Sequence, residues 1–131
     1  MTYAGDLTPN EAHELLESRD DAILVDCRTR AEWNFVGVPA MDQARFVEWT
    51  HFPGGSRNES FVSDVAGGLS PEQPIVILCR SGVRSEAAAH VLTEAGFTDV
   101  YNIVDGFEGH IGADGHRHGG WKGAGLPWQQ S

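Results

Sequence analysis

The chain has 131 residues, of which 40% are hydrophobic, enough for one buried core but too few for a second independent domain. Nine basic and nineteen acidic side chains give a net charge of -10, which disfavours nucleic acid and anionic membranes as partners. The chain begins without the features of a secretory signal or membrane anchor and has only two cysteines, so we expect a cytoplasmic protein with no disulfide scaffold.

Alternating helices and strands are predicted in the first half of the chain. Thr8 opens a helix with a capping box that Glu11 completes, and the apolar run at residues 22–25 predicts the strand that follows. Residues 45–49 predict a weaker strand, and residues 59–66 predict a helix. The same alternation continues in the second half.

The second half contains the most informative strand and helix. Residues 75–78 are an unbroken apolar run rich in β-branched side chains, typical of a strand buried on both faces, and Cys79 follows at its carboxyl end. From Ser85 the apolar residues recur at helical spacing until Gly96, and residues 100–104 predict another strand. This order predicts an α/β sandwich with a mostly parallel sheet, helices on both faces and a site at the carboxyl ends of the strands.

Cys79 is the candidate nucleophile because it lies where the buried strand passes through a short loop into a helix. Unpaired N–H groups and the helix dipole favour an anion at that end, and Arg80 and Arg84 add two positive charges. In such surroundings a cysteine pKa can fall from about 8.5 to roughly 3.5–7.5. A buried structural thiol is the alternative, but packing alone needs neither the arginines nor Gly82. The loop residues that we expect to bind substrate are Arg80, Ser81, Gly82, Val83, Arg84 and Ser85.

Three segments of the chain resemble the rhodanese-like sulfurtransferases. The sequence CRSGVRS at residues 79–85 is similar to the active-site loop of that family. The sequence DCRTRAEW at residues 26–33 is similar to the segment after its first long strand, and GWKGAGLP at residues 120–127 to its closing segment. The resemblance implies one rhodanese-like domain over residues 1–131, a three-layer sandwich with its core at about residues 8–128.

Two segments depart from the family pattern. Residues 36–41, VGVPAM, lack the histidine that the family commonly has there, and residues 105–120 form a Gly/His-rich loop longer than a minimal member needs. The possible metal ligands in this loop are His110, His116, His118 and Asp114. Because glycine dominates the loop and the spacing of these residues is irregular, we expect a polar surface loop and no metal.

The resemblance implies a rhodanese-type (thiosulfate) sulfurtransferase that works in two steps. The Cys79 thiolate attacks the outer sulfur of a donor such as thiosulfate and becomes a persulfide, and an acceptor such as cyanide or a thiol then removes that sulfur. Arg80 and Arg84 would position the anionic donor. The expected partners are a small-molecule sulfur donor and acceptor, with a protein thiol as another possible acceptor, and no metal or organic cofactor is implied.

Two other functions on the same fold are a cysteine-based phosphatase or arsenate reductase and a non-catalytic interaction module. Rhodanese-fold phosphatases place five residues between cysteine and arginine, whereas Cys79 and Arg84 are separated by a shorter loop, Arg80 to Val83. An interaction module usually loses the nucleophile, which this chain retains.

The strand that the resemblance places beside Cys79 ends with Asp26, Cys27 and Arg28. Cys27 is either a packing residue or a thiol that pairs with Cys79 in a regulatory or resolving role, depending on the strand register. Asp26 and Arg28 either support the active-site loop through hydrogen bonds or form an ordinary ion pair at a strand end.

Overall fold

The computed structural model describes residues 2–130 and consists of short strands alternating with helices. The strands are β1 (Gly5–Leu7), β2 (Ile23–Asp26), β3 (Val38–Pro39), β4 (Ala44–Phe46), β5 (Ile75–Leu78), β6 (Val100–Ile103), β7 (His110–Ile111), β8 (Arg117–His118) and β9 (Trp128–Gln129). The helices are α1 (Pro9–Ser18), α2 (Arg30–Val36), α3 (Phe61–Ala66), α4 (Val83–Glu94) and α5 (Gly120–Gly123).

The central sheet has five parallel strands in the order β1-β6-β5-β2-β4. Alternate side chains of β2 and β5 point to opposite faces, so Val25, Ile75 and Ile77 pack with α3 and α4, whereas Leu24 and Val76 pack with α1 and α5. The predicted sandwich with helices on both faces is confirmed. Because β5 lies in the middle, its carboxyl end is surrounded by residues from both halves of the chain.

Local sequence signals account for some of the element boundaries. Thr8 and Glu11 form the predicted capping box of α1. The helix predicted from Ser85 begins two positions earlier, at Val83, and the apolar pattern did not show this because Val83 is exposed and Arg84 is polar. The weak strand predicted at residues 45–49 is shorter and shifted to 44–46.

Seven of the fourteen elements in the described residues were not predicted: β1, α2, β3, β7, β8, α5 and β9. Helix α2 buries none of its residues, so it has no apolar stripe, and its only sequence signal is a second capping box formed by Thr29 and Glu32. The Gly/His-rich loop contains the small antiparallel pair β7 and β8. None of the helices within residues 2–130 combines the length and apolar character needed to span a bilayer.

Candidate active site

Cys79 lies directly after β5, and its side chain is buried. Gly82, with φ 108°, turns the loop into α4 and donates its backbone N–H to the Cys79 sulfur over 3.1 Å. No side chain caps this helix, whose N-cap residue is Gly82, so the sulfur lies beside the N–H groups that have no partner within the helix. A positive φ of this size is strained for a side-chain-bearing residue, which explains glycine at position 82.

Cys27 follows the strand that neighbours β5, and it lies in register with Cys79. The pairing of Asp26 with Leu78 continues one residue further, where Cys27 donates its backbone N–H to the Leu78 carbonyl over 2.8 Å. Both cysteines are buried in the same apolar cluster, and neither forms a disulfide. The register that the sequence left open therefore brings the two thiols together.

The two cysteines have opposite protonation preferences. A hydrogen bond from the Cys27 thiol, together with the backbone N–H groups of Ser85 and Gly82, lowers the pKa of Cys79 to about 4 despite its burial. Burial, and then the negative charge of Cys79, raise the pKa of Cys27 well above that of an ordinary thiol. At neutral pH the site therefore holds a thiolate beside a thiol.

Replacing Cys27 with alanine should raise the pKa of Cys79, because the variant loses the hydrogen-bond donor that stabilises the thiolate most. A hydrogen bond to a charged group contributes about 1.5–3 kcal/mol, so the ionised fraction just below the wild-type midpoint should fall at least about tenfold. Thiolate absorbance against pH measures the change. Cys27→Ser keeps a donor and is the matched control, with a midpoint that should stay close to that of the wild type. An unchanged midpoint in Cys27→Ala would contradict this account of the thiolate.

A hydrogen-bonded chain of polar side chains leads from the sulfur to the edge of the sheet. Ser85 Oγ lies 3.3 Å from the Cys79 sulfur and 2.5 Å from Asn102 Oδ1, and its single proton is donated to one or the other. The Asn102 amide donates to Asp6 Oδ1 over 3.3 Å, and the Tyr3 hydroxyl donates to the same oxygen over 2.7 Å. The sequence analysis missed Asn102, because the sequence of a strand does not indicate which side chains its polar residues contact.

Both arginines of the loop are paired with carboxylates of this chain. Arg84 forms two hydrogen bonds to Glu32, of 2.7 and 2.9 Å, and Arg80 lies 3.2 Å from Glu108. These carboxylates offset the positive charge at the helix N-terminus, so no bound anion is needed for that purpose. Glu32 and Glu108 were missed as site residues, although the capping box at Thr29 is a local signal for the placement of Glu32.

An open pocket of about 480 Å³ lies at the mouth of the site. Arg80 and Arg84 contribute to its wall, together with the mainly apolar side chains of Phe35, Val36 and Phe52. Phe35 is 84% exposed and Phe52 is 67% exposed. The pocket is larger than a small inorganic anion requires, and part of its wall is apolar.

Residues that follow β6 hold the nucleophile loop in place. The backbone N–H of Phe107 donates to the Cys79 carbonyl over 2.8 Å, and that of Glu108 to the Arg80 carbonyl over 3.0 Å. A Cβ at Gly106 would lie 2.2 Å from the Cys79 carbonyl oxygen. Glycine at position 106 therefore permits the close approach of these two backbone segments.

The remaining predicted site residues lie at different depths. Asp26 and Arg28 form a fully buried ion pair of 2.7 Å, and Arg28 also donates to the Gly37 carbonyl and lies over the Phe107 ring. Their connection to the loop runs through Phe107 and the packing around it. Ser81 in the loop and Val83 at the start of α4 are both exposed.

Two of the three histidines of the glycine-rich loop pair with nearby carboxylates. His118 Nε2 lies 3.0 Å from Asp114, and His110 Nδ1 lies 3.4 Å from Asp105. In the part of the chain that the structure describes, no group of three or more His, Cys, Asp or Glu side chains is arranged to hold a metal ion. The expectation of a metal-free protein stays a prediction.

Comparison with known proteins identifies relatives over most of the chain. The rhodanese-like domain family matches residues 8–112. An uncharacterized protein of Rickettsia rickettsii is 39% identical over 124 residues, covering 91% of this chain and 92% of that protein. The thiosulfate sulfurtransferase GlpE of Glaesserella parasuis serovar 5 is 29% identical over 106 residues, covering 81% of this chain and 85% of that protein.

Solved structures have the same fold. The crystal structure of Rv0390 from M. tuberculosis matches with a TM-score of 0.90 and 47% identity, over 99% of this chain and 100% of that chain. The solution structure of the polysulfide-sulfur transferase homodimer from Wolinella succinogenes matches with a TM-score of 0.63 and 27% identity, over 94% of this chain and 76% of that chain. The similarity to Rv0390 thus extends beyond the family match, to nearly the whole chain.

Proposed function

This chain belongs to the rhodanese-like domain family, and from that premise we propose that it is a sulfurtransferase whose sulfur carrier is Cys79. It would move a sulfane sulfur from a donor such as thiosulfate to an acceptor such as cyanide or a thiol. The observation that carries the proposal is the Cys79 thiolate, with a pKa of about 4, beside the Gly82 N–H at the start of α4. Relatives whose names describe thiosulfate and polysulfide sulfur transfer support it at the level of the family.

In the first half-reaction, the Cys79 thiolate attacks the outer sulfur of thiosulfate. The new bond joins Cys79 Sγ to that sulfur, the S–S bond of thiosulfate breaks, and sulfite leaves with the bonding electron pair. The persulfide carries its negative charge on the outer sulfur. The Gly82 N–H, which donates to the Cys79 sulfur, and the first N–H groups of α4 are suited to stabilise that charge.

In the second half-reaction, the acceptor attacks the outer sulfur. With cyanide, a carbon–sulfur bond forms, the Cys79 persulfide bond breaks and thiocyanate leaves, which restores the thiolate. Neither step needs a metal or an organic cofactor. A thiol acceptor, free or on a protein, would take the sulfur as its own persulfide.

We place this chemistry in the cytoplasm. A thiolate nucleophile with a second thiol beside it requires reducing surroundings to stay available, and both cysteines of the chain are free. Small-molecule donors and acceptors fit the pocket at the mouth, whereas the net charge of -10 disfavours nucleic acid as a partner.

Mass spectrometry of the protein after incubation with thiosulfate tests the proposal. The expected result is the gain of one sulfur atom on the Cys79 peptide, lost again when cyanide is added, with the appearance of thiocyanate. Cys79→Ser should acquire no sulfur, whereas Cys27→Ser should acquire it on Cys79. Absence of the adduct with thiosulfate and with other sulfane donors would refute sulfur transfer by Cys79.

The Glu32→Gln variant should bind thiosulfate more tightly than the wild type. Glutamine retains the size and the capping role of Glu32, but it removes the negative charge that faces Arg84. The released arginine charge should lower the KM for thiosulfate about threefold or more at low salt, with kcat changed less. Steady-state kinetics with thiosulfate and cyanide measure the change.

Glu11→Gln is the matched control, because Glu11 has the same capping-box position in α1 and forms no ion pair with an arginine in the described part of the chain. Its KM should remain that of the wild type. Equal KM values for both variants would mean that the charge of Arg84 does not contribute to donor binding.

A further inference from the structure

The contact between the two cysteines suggests a chemistry beyond sulfur transfer to an external acceptor. Cys27 and Cys79 follow strands that pair in register, and their side chains point into the same buried cluster. Adjacent strands lie about 4.8 Å apart, within the range of Cα separations of roughly 4.4–6.8 Å that a disulfide spans. The two sulfurs can therefore be joined with little backbone movement.

A structural role does not require a thiol at position 27. The residue is fully buried among Val25, Trp49, Phe61 and Ile77, where alanine or valine would also pack. The in-register pairing of β2 with β5 and the shared buried cluster instead place this thiol beside the Cys79 sulfur, the atom on which the persulfide forms. The chain has two cysteines, so Cys27 is the one other thiol that can act as a nucleophile beside the Cys79 sulfur.

We propose that Cys27 is a resolving thiol that attacks the inner sulfur of the Cys79 persulfide, closes a Cys27–Cys79 disulfide and releases hydrosulfide. The proposal rests on the persulfide of the proposed function. A bond forms between the two cysteine sulfurs, and the bond between Cys79 and the outer sulfur breaks. The Cys27 proton goes to the leaving sulfur. The outer sulfur is reduced by two electrons, and the two cysteine sulfurs supply them.

The protonation state of Cys27 and the supply of an external acceptor determine when this step occurs. Before sulfur transfer, Cys27 keeps its proton because burial and the adjacent thiolate raise its pKa. In the persulfide, the negative charge lies on the outer sulfur, which can accept the Cys27 proton as it leaves. A rapid external acceptor would remove the sulfur first, so the disulfide forms when no acceptor arrives. An external dithiol would restore the reduced pair.

The experiment follows one cycle of persulfide formation under anaerobic conditions, so that oxygen does not oxidise the thiols. The reduced protein is treated with thiosulfate or, in parallel, with inorganic polysulfide, and then separated from excess donor. Intact mass, peptide mapping and released hydrosulfide are followed over time. Polysulfide modifies a reactive thiolate without enzymatic donor binding, so the Cys27 step is tested even if thiosulfate is not a substrate.

In the wild type, the persulfide should convert to a monomer two hydrogens lighter than the reduced protein, with a peptide that links Cys27 to Cys79 and one hydrosulfide per chain. Cys27→Ser keeps the size and a hydrogen-bond donor but cannot form the disulfide. Its persulfide should last at least about ten times longer. Circular dichroism checks that the Cys27→Ser variant is folded. If the variant is unfolded, the presence or absence of the linked peptide in the wild type decides the role of Cys27.

Equal persulfide lifetimes in the two proteins, with no linked peptide in the wild type, would overturn the resolving role and leave the proposed function intact. If thiosulfate leaves no sulfur on Cys79 but polysulfide does, the thiosulfate assignment fails and the polysulfide samples decide the role of Cys27. If neither donor yields a persulfide or a linked peptide, both proposals are refuted.

Discussion

Between about pH 5 and about pH 7, the free energy of unfolding of the wild-type chain should rise by about 2–3 kcal/mol more than that of Cys79→Ser. In the folded chain the pKa of Cys79 is about 4, compared with 9.0 for an unperturbed thiol. Between these values the unfolded state binds one more proton than the folded state, so stability increases with pH. The contribution is complete above the unfolded pKa and is lost as the pH falls through the folded pKa.

Urea unfolding of both proteins across this pH range measures the difference. Groups other than Cys79 titrate in both proteins, so their contributions cancel to a first approximation. Cys27 adds no opposing dependence below the pKa of an ordinary thiol, because it is protonated in both the folded and the unfolded state there. Parallel stability curves for the two proteins would contradict a buried thiolate at Cys79.

Gly106→Ala should destabilise the fold by about 3 kcal/mol or more and disturb the nucleophile loop. The added methyl group would meet the Cys79 carbonyl oxygen at 2.2 Å and the Arg80 carbonyl carbon at 2.7 Å. Both neighbours are backbone atoms, so the loop itself has to shift. Residue 106 also has φ 50°, which is unfavourable for alanine.

Gly67→Ala is the control for this substitution. Gly67 has φ -54°, and a Cβ added there would meet nothing within 4 Å. Its stability should stay within about 0.5 kcal/mol of the wild type or increase slightly. The readouts are the free energy of unfolding, from urea titration, and the alkylation rate of Cys79 at about pH 5. Both quantities should fall in Gly106→Ala and stay close to the wild type in Gly67→Ala. Similar behaviour of the two variants would show that the close approach at Gly106 is not a constraint.

The parts of the fold that were predictable have local signals. The apolar run of β5, the capping box of α1 and the helical period of α4 each lie within one short segment. Helix α2 was missed because it buries no residue and therefore has no apolar stripe. Its capping box, at Thr29 and Glu32, was the one local sign of it.

In the candidate site, the residues that are adjacent in sequence were predictable, and their partners from distant segments were not. Cys79 and its loop are contiguous, so the sequence pattern identifies them, and their catalytic roles stay predictions. The partners of the loop come from distant segments: Glu32 lies 52 residues before Arg84, and Asn102 lies 17 residues after Ser85. The sequence analysis expected Arg80 and Arg84 to position an anionic donor, and it missed their pairing with Glu32 and Glu108, because that pairing depends on tertiary structure.

The parallel order of the central sheet affects how the chain folds. No two neighbouring strands of that sheet are joined by a hairpin, and β5 pairs with β2, which lies about 50 residues earlier in the chain. Such pairings require long loops to close before the core contributes stability, which makes folding slow. Cys27 reaches Cys79 only when this central pairing is complete, so the acidic thiol should emerge late in refolding and report the formation of the native sheet.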